Sequence, residues 1–191
     1  KMRVQKIARL GILRTFQQTR IYSEMDCVKN MLISAAHHHT GWFDMFRKYP
    51  QELTERAEHL LEFVGLFAKR HLISGDLSFG QQKLLEFAMA LMNEPKVLLL
   101  DEPTAGLDPI MTNIINQLIT RNAETIGATT VSVTSDMDGA RAIADRIAMI
   151  YDGRIIWCGS VSEVENSGNE YFDQFIHHRG TGPIKMRLKR R

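Results

Sequence analysis

The sequence predicts an α/β fold built on a parallel sheet, and three observations support this fold class. Strand-like and helix-like segments alternate along the chain, which is typical of strands joined by crossover helices. The run Val97-Leu98-Leu99-Leu100 is apolar without interruption, as expected of a strand covered on both faces. The β-branched segment Thr129–Val133 predicts a second buried strand.

The segments before the central strand follow the same logic. Residues 12–16 predict a short strand. Apolar residues recur at helical spacing in three places, so we expect helices over residues 23–36, 52–67 and 79–92. The first of these helices has Ser23 or Asp26 as its N-cap, because either side chain can accept a bond from a first-turn amide.

The segments after the central strand predict helices and one hairpin. Gly127 interrupts the helical pattern before the second strand. Asp152-Gly153 lies between two short apolar runs, Arg146–Tyr151 and residues 154–158, and this pair of residues favours a tight hairpin turn. Three helices are expected here, over residues 110–122, 137–144 and 171–176.

The composition is that of one globular domain from a reducing compartment. At 191 residues, 44% hydrophobic, the chain can bury a core. The net charge of +2 gives no strong overall attraction to nucleic acid. Two cysteines, Cys27 and Cys158, cannot form a disulfide framework, and we expect Cys158 and Trp157 to serve packing. No apolar run reaches the ~18 residues of a membrane-spanning helix.

Two chemical devices lie about twenty residues apart. The turn Leu77-Ser78-Phe79-Gly80-Gln81 opens a helix, and a helix N-terminus offers free amides and a positive dipole to an anion such as phosphate. Asp101-Glu102 ends the apolar strand, and paired acids there suit a divalent cation and a base that activates water. Together they indicate nucleotide phosphate chemistry.

Each device also has a purely structural interpretation. Ser78 alone is an ordinary N-cap, and Asp101-Glu102 alone is a solvated strand end. Gln17 alone is a turn-capping amide. His37-His38-His39 suggests a metal, but adjacent side chains point in different directions, so we interpret the three histidines as an exposed loop. The basic residues that end the chain are a solvated end, or less plausibly a contact for anionic lipid headgroups.

Taken together and in order, these motifs resemble those of ABC-type ATPases. Leu77-Ser78-Phe79-Gly80-Gln81 resembles the signature motif, with Phe79 in place of the usual glycine. Residues 97–103 resemble the Walker B strand with its catalytic glutamate, Ala105-Gly106-Leu107-Asp108 resembles the D-loop, and Gln17 matches the Q-loop glutamine. The resemblance covers nearly the whole chain.

The resemblance implies ATP and Mg²⁺ as cofactors and a second ABC ATPase subunit as a head-to-tail partner. Ser78, Phe79, Gly80 and Gln81 would contact the γ-phosphate of ATP bound by that second subunit. The Ser78 hydroxyl and the Gly80 amide are the suitable donors, and glycine lets the backbone approach an anion. Asp108 would contact the opposite subunit.

The resemblance also implies the metal and catalytic residues. Asp101 would hold Mg²⁺, with Gln17 as a second metal contact that relays to a membrane partner. Glu102 would orient and deprotonate the attacking water. Ser135 stands where the family carries a histidine that contacts the γ-phosphate. A serine cannot donate the hydrogen bond of an imidazole, so we expect less efficient ATP hydrolysis.

A second departure concerns the phosphate loop. No G-x-x-x-x-G-K-[ST] motif occurs in the sequence, so no lysine or glycine cradle grips the β- and γ-phosphates. In the family this loop precedes the Q-loop. We therefore expect this chain alone not to hydrolyse ATP, and we interpret the start at Lys1 as an N-terminal truncation.

The implied architecture is a single partial ABC ATPase domain over residues 1–191, with a P-loop NTPase-like partial core sheet and an inserted α-helical subdomain. Its expected parts are the end of the core lobe with the Q-loop, the helical subdomain with the signature motif, the core with Walker B and the D-loop, and a C-terminal extension. They cover residues 1–18, 19–92, 93–159 and 160–191.

The resemblance finally implies a subunit that drives transport from the cytoplasmic face of the inner membrane, bound peripherally to integral membrane subunits, with no nucleic acid expected. Arg14-Thr15-Phe16-Gln17 resembles branched-chain amino-acid importer ATPases. Asp173-Gln174-Phe175-Ile176-His177 resembles ATPases of phospholipid trafficking, and we weight this tail more heavily. The alternatives are an ATPase of a soluble DNA or ribosome machine, and a non-catalytic fragment.

Overall fold

The computed structural model describes residues 11–14, 21–35 and 49–185, and it confirms the α/β prediction. The chain divides into two compact units, Lys1–Ser135 and Asp136–Arg191. The boundaries expected from the sequence at residues 18, 92 and 159 stay a prediction. Gln17 and the three histidines lie outside the described residues, as does the basic end beyond Lys185.

The first unit contains a three-stranded parallel sheet. The strands are β1 (Ile12–Arg14), β2 (Val97–Asp101) and β3 (Thr129–Val133), in the order β1-β2-β3. The pairing of β2 with β3 runs from Val97↔Thr129 to Asp101↔Val133, so both strands end at the same edge of the sheet. The carboxyl ends of parallel strands are the usual place for a ligand site.

The prediction of two buried strands is half right. In β2, Leu98 and Leu100 are fully buried, but Val97 and Leu99 are only partly buried, so full burial on both faces is confirmed for one face. In β3, Val131 and Val133 are 44% and 55% exposed, so the prediction of a buried strand is wrong. Among the described strands, β3 lies at the edge of the sheet. Only its other face, with Thr130 and Ser132, is partly covered.

Three of the described helices of the first unit form a cluster: α1 (Cys27–Ser34), α2 (Gln51–Phe63) and α3 (Phe79–Leu91). They pack against one another through the apolar faces that the sequence predicts. Asp26 is the N-cap of α1, and its carboxylate accepts the Lys29 amide at 2.7 Å. The fully buried side chains of this cluster include Cys27, Met31, Ala57, Leu61, Leu85 and Ala88.

Helix α4 (Pro109–Ile126) connects β2 to β3 and is longer than predicted. It ends at Gly127, whose φ of 70° is the left-handed conformation that glycine adopts most readily. Its buried face is Ile115, Leu118 and Ile119. The prediction that Ile114 belongs to this face is wrong, because the helix turns that side chain outward and leaves it 37% exposed.

The second unit consists of α5 (Met137–Ile143), the antiparallel hairpin β4 (Arg146–Tyr151) and β5 (Arg154–Ser160), and α6 (Glu170–Ile176). Asp152 and Gly153 have φ of 48° and 74°, which confirms the predicted hairpin turn. Within the described residues, no helix has both the length and the apolar character needed to cross a membrane.

The core of the second unit is organised by an aromatic pair. Trp157 stacks on the fully buried Phe172, with ring centroids 4.1 Å apart. This contact confirms that Trp157 serves packing. The same prediction is wrong for Cys158, which is exposed. Successive side chains of a strand point to opposite faces, so Cys158 points away from the face that carries Trp157.

The two fully buried asparagines are expected to respond oppositely to replacement by leucine. Asn30 accepts the Tyr22 amide at 2.7 Å and donates to three carbonyls and to Ser74 Oγ. Asn122 has no hydrogen-bond partner for either amide atom among the described residues. A buried unpaired polar group costs about 1–3 kcal/mol, so Asn122→Leu should raise the free energy of unfolding by about 1–2 kcal/mol.

Asn30→Leu is the matched control and should lower the free energy of unfolding by about 2 kcal/mol or more, because it orphans several buried partners. Urea denaturation of both variants measures the difference. Equal destabilisation by the two substitutions would contradict this interpretation of Asn122.

The two thiols are expected to differ in their rates of alkylation. Cys27 is fully buried, donates to the Leu72 carbonyl at 3.6 Å, and has its pKa raised by burial, so it stays protonated and shielded. Cys158 is exposed. Iodoacetamide at pH 8 should therefore modify Cys158 in the native protein and Cys27 only in urea, as mass spectrometry would show. Native labelling of Cys27 at a comparable rate would contradict the buried position.

Candidate functional site

The turn that resembles the signature motif forms the start of helix α3. Ser78 and Gln81 make a capping box: the Ser78 hydroxyl accepts the Gln81 amide at 3.3 Å, and the Gln81 side chain accepts the Ser78 amide at 3.2 Å. Lys69 Nζ also donates to Gln81 Oε1 at 3.1 Å. The capping interpretation of Ser78 therefore holds, and the box uses neither the Phe79 nor the Gly80 amide.

Phe79 and Gly80 lie on opposite sides of this turn. The Phe79 side chain is 50% exposed, and its ring edge lies beside Gly106, 3.5 Å from where a Cβ on that glycine would be. Gly80 is buried, and a Cβ added there would lie 2.8 Å from Met111 Cε of helix α4. A side chain at position 80 would therefore require Met111 to move, a contact that sequence reasoning missed.

The acidic pair lies where β2 ends. Asp101 is the last residue of β2, and Glu102 follows it with a φ of 48°, a left-handed backbone uncommon for glutamate. The Glu102 amide donates to the Val133 carbonyl at 2.8 Å, which continues the pairing with β3 by one residue. Strained backbone of this kind is often found at functional sites.

The Glu102 carboxylate is held on both of its oxygens. The Thr134 hydroxyl donates to Oε2 at 3.0 Å, and the Ser135 backbone amide donates to Oε1 at 2.9 Å. Sequence reasoning missed Thr134, although a hydroxyl directly after a strand that neighbours the acids was a usable signal. The link between Ser135 and Glu102 is a backbone contact, so it does not depend on which side chain stands at position 135.

Asp108 is the N-cap of helix α4. Its Oδ1 accepts the Ile110 and Met111 amides at 2.9 and 3.0 Å. The residue is exposed. The structure thus gives Asp108 a local structural function, and its predicted contact with an opposite subunit stays a prediction.

The residues at the end of β2 suit an Mg²⁺ ion that is bound partly by the protein and partly by water and phosphate. Among residues 11–14, 21–35 and 49–185, no cluster of three metal-binding side chains exists. Mg²⁺ is commonly bound by one or two carboxylates together with water and substrate phosphates. Asp101 at the end of a strand fits that pattern, whereas a site made of protein ligands alone does not. The predicted contribution of Gln17 lies outside the described residues.

Comparison with known proteins decides the family. Residues 2–105 match the family model described as ABC transporter. The chain belongs to the ABC transporter family. It is 36% identical over 170 residues to a high-affinity branched-chain amino acid transport ATP-binding protein of Pseudomonas aeruginosa, and 33% identical over 171 residues to the Escherichia coli protein of the same description.

The ABC transporter relatives are longer than this chain. Each alignment with a branched-chain amino acid transport protein covers 85% of this chain and 66% or 67% of the relative, so the chain spans about two thirds of their length. A methionine import ATP-binding protein of Haemophilus ducreyi is 34% identical, with 88% of this chain and 47% of the relative covered.

Solved structures of ABC transporter cassettes agree in fold. The ADP conformation of one ATP-binding cassette has a TM-score of 0.75 and 26% identity, covering 91% of this chain and 70% of that one. This similarity confirms the predicted P-loop NTPase-like class. The relatives named here act in transport, so they do not favour the alternative of a soluble DNA or ribosome machine.

The bond from Thr134 to Glu102 can be tested by removing its hydroxyl. Thr134→Val should lower the free energy of unfolding by about 1–2 kcal/mol, because a hydrogen bond to a carboxylate is lost while the side-chain volume is kept. Thr134→Ser keeps the hydroxyl and should unfold close to wild type. Urea denaturation distinguishes the two, and equal stability of Val and Ser variants would rule out a significant bond.

Proposed function

We propose that this chain supplies the signature turn, the metal-binding carboxylate and the catalytic base of an ATP-hydrolysing subunit that drives an ABC importer. The observation that carries the proposal is the Glu102 carboxylate, which Thr134 and Ser135 hold at the edge of the sheet next to Asp101. The family match supports ATP hydrolysis as the reaction.

The mechanism at the sheet edge is one of positioning. ATP bound with Mg²⁺ supplies the phosphoryl group that is transferred to water. Asp101 would hold the cation, with Gln17 as a further contact. Glu102 would orient the water and take its proton, because each of its oxygens accepts one bond in the structure and keeps capacity for another. Fixing the base before reaction avoids a reorganisation cost.

The signature turn would act on the nucleotide of a second subunit. The Phe79 and Gly80 amides are the first-turn donors that the capping box leaves unused, and the helix dipole favours an anion at this end. Ser78 would add its hydroxyl. Asp108 would face the same partner. We infer that the grip on the β- and γ-phosphates comes from a phosphate loop, which the printed sequence does not contain.

The proposed partners are a second ABC ATPase subunit and integral membrane transporter subunits, which would place the protein at the cytoplasmic face of the inner membrane. The named relatives are ATP-binding proteins of branched-chain amino acid and methionine transport, which supports an apolar amino acid as cargo. They agree with the resemblance of the first half of the chain. A phospholipid cargo, suggested by residues 173–177, stays the second candidate.

Glu102→Gln tests the catalytic base. In the complete subunit assembled with its membrane partner, this substitution should lower ATP hydrolysis at least ~100-fold, because a positioned general base contributes about 10²–10⁴-fold. ATP binding should be retained, since the amide keeps the shape of the side chain. Phosphate release measures the first quantity and nucleotide titration the second.

Glu94→Gln is the matched control for this experiment. Glu94 also has a positive φ, 45°, and also lies just after a secondary-structure element, but it pairs with Arg56 away from the sheet edge. Its hydrolysis rate should equal that of the wild type. Undiminished hydrolysis by Glu102→Gln would remove Glu102 from the role of base.

A further inference from the structure

Helix α3 carries a buried ion pair that the proposed mechanism does not use. The Lys83 side chain is only 6% exposed and that of Glu86 only 13%, and Lys83 Nζ lies 3.5 Å from Glu86 Oε2. Burying two charges costs several kcal/mol each unless their surroundings compensate, and apolar residues often replace such pairs without loss of stability. The position of this pair therefore calls for an explanation beyond stability.

The pair lines a small cavity that is partly open to solvent, together with Asp101. The other described residues that line it are Phe87, Leu100, Pro103 and Ile115. The space that a water molecule can occupy there is about 20 Å³. One water needs about 10–15 Å³ on this measure and two to four polar partners. The cavity thus has room for one water molecule, and the charged groups among its described lining residues are one ammonium and two carboxylates.

We propose that Lys83 and Glu86 are positioning residues for Asp101, which they orient through a single water held between helix α3 and the end of β2. Lys83 donates to this water and offsets one of the two carboxylate charges. Glu86 holds the Lys83 ammonium in place. The Asp101 carboxylate is thereby held in one orientation. The effect of this orientation on metal binding rests on the proposed function of Asp101.

The arrangement joins two parts of the site that serve different nucleotides. Helix α3 begins at Ser78, in the turn that would contact the nucleotide of the second subunit, and Lys83 lies five residues later. A displacement of α3 on engagement of that turn would move the Lys83–Glu86 pair relative to Asp101. The proposed water would therefore couple the signature turn to the metal-binding carboxylate of the same subunit.

A double-mutant cycle on the full chain tests the linkage without nucleotide. The variants are Lys83→Met, Asp101→Asn and their combination, and urea denaturation gives the folding equilibrium constant of each. The effect of Asp101→Asn should differ by about threefold or more between the wild-type and Lys83→Met backgrounds, as expected of residues that share a partner. Additive effects would overturn the proposal.

The Asp101 carboxyl gives a second measurement, which a merely structural lysine would not move. In protein labelled with ¹³C-aspartate, the Asp101 resonance is the one that disappears in Asp101→Asn. It should shift in Lys83→Met and in Glu86→Gln. The matched control is Lys29→Met, which breaks a pair with Asp26 of the same i,i+3 spacing but with a 65% exposed lysine, and it should leave the resonance unchanged.

Further variants keep the test decisive. If Lys83→Met does not fold, the combined Lys83→Met/Glu86→Leu variant removes both charges of the pair, so that neither is left buried alone, and the same cycle is run against it. If the cycle shows coupling between Lys83 and Asp101 while Glu102→Gln hydrolyses ATP at the wild-type rate, only the proposed function is refuted. Additivity and an unmoved Asp101 resonance, with hydrolysis dependent on Glu102, would refute only this inference.

Discussion

The parallel pairing of β2 with β3 is the constraint on which the candidate site depends. It brings the ends of two strands that are distant in sequence to one edge and extends one residue further, through the bond from the Glu102 amide to the Val133 carbonyl. At this point Glu102 has a left-handed backbone, and its carboxylate accepts bonds from Thr134 and Ser135. A one-residue slip would reverse the faces of the strand and abolish the arrangement.

The second feature is the contact between the start of α3 and the region around α4. Gly80 lies against the Met111 side chain, which a larger residue at position 80 would displace. Phe79 lies beside Gly106, so the signature turn contacts the loop before α4. Further along α3, Lys83 and Glu86 line a cavity together with Asp101. The helix that would recognise one nucleotide thus also borders the metal-binding acid for another.

Local patterns predicted most of the elements. The helical spacing of apolar residues located the helices to within a few residues, and Asp152-Gly153 located the hairpin, because these signals reside in neighbouring residues. The predicted burial of β3 and the predicted apolar face of α4 were partly wrong. Val131 and Ile114 are apolar, but whether such a side chain is covered depends on which elements pack there, and the sequence pattern does not contain that information.

By itself the sequence determined the fold class, the family and the residues that carry the chemistry, because the motifs occur in one order with fixed spacing and each has a physical function at the end of a strand or helix. Only the tertiary structure decided how these residues are held. Thr134, just after another strand, donates to Glu102, Gly80 lies against Met111, and Lys83 lines the same cavity as Asp101. Each of these is a contact between residues far apart along the chain, and such contacts leave no local pattern.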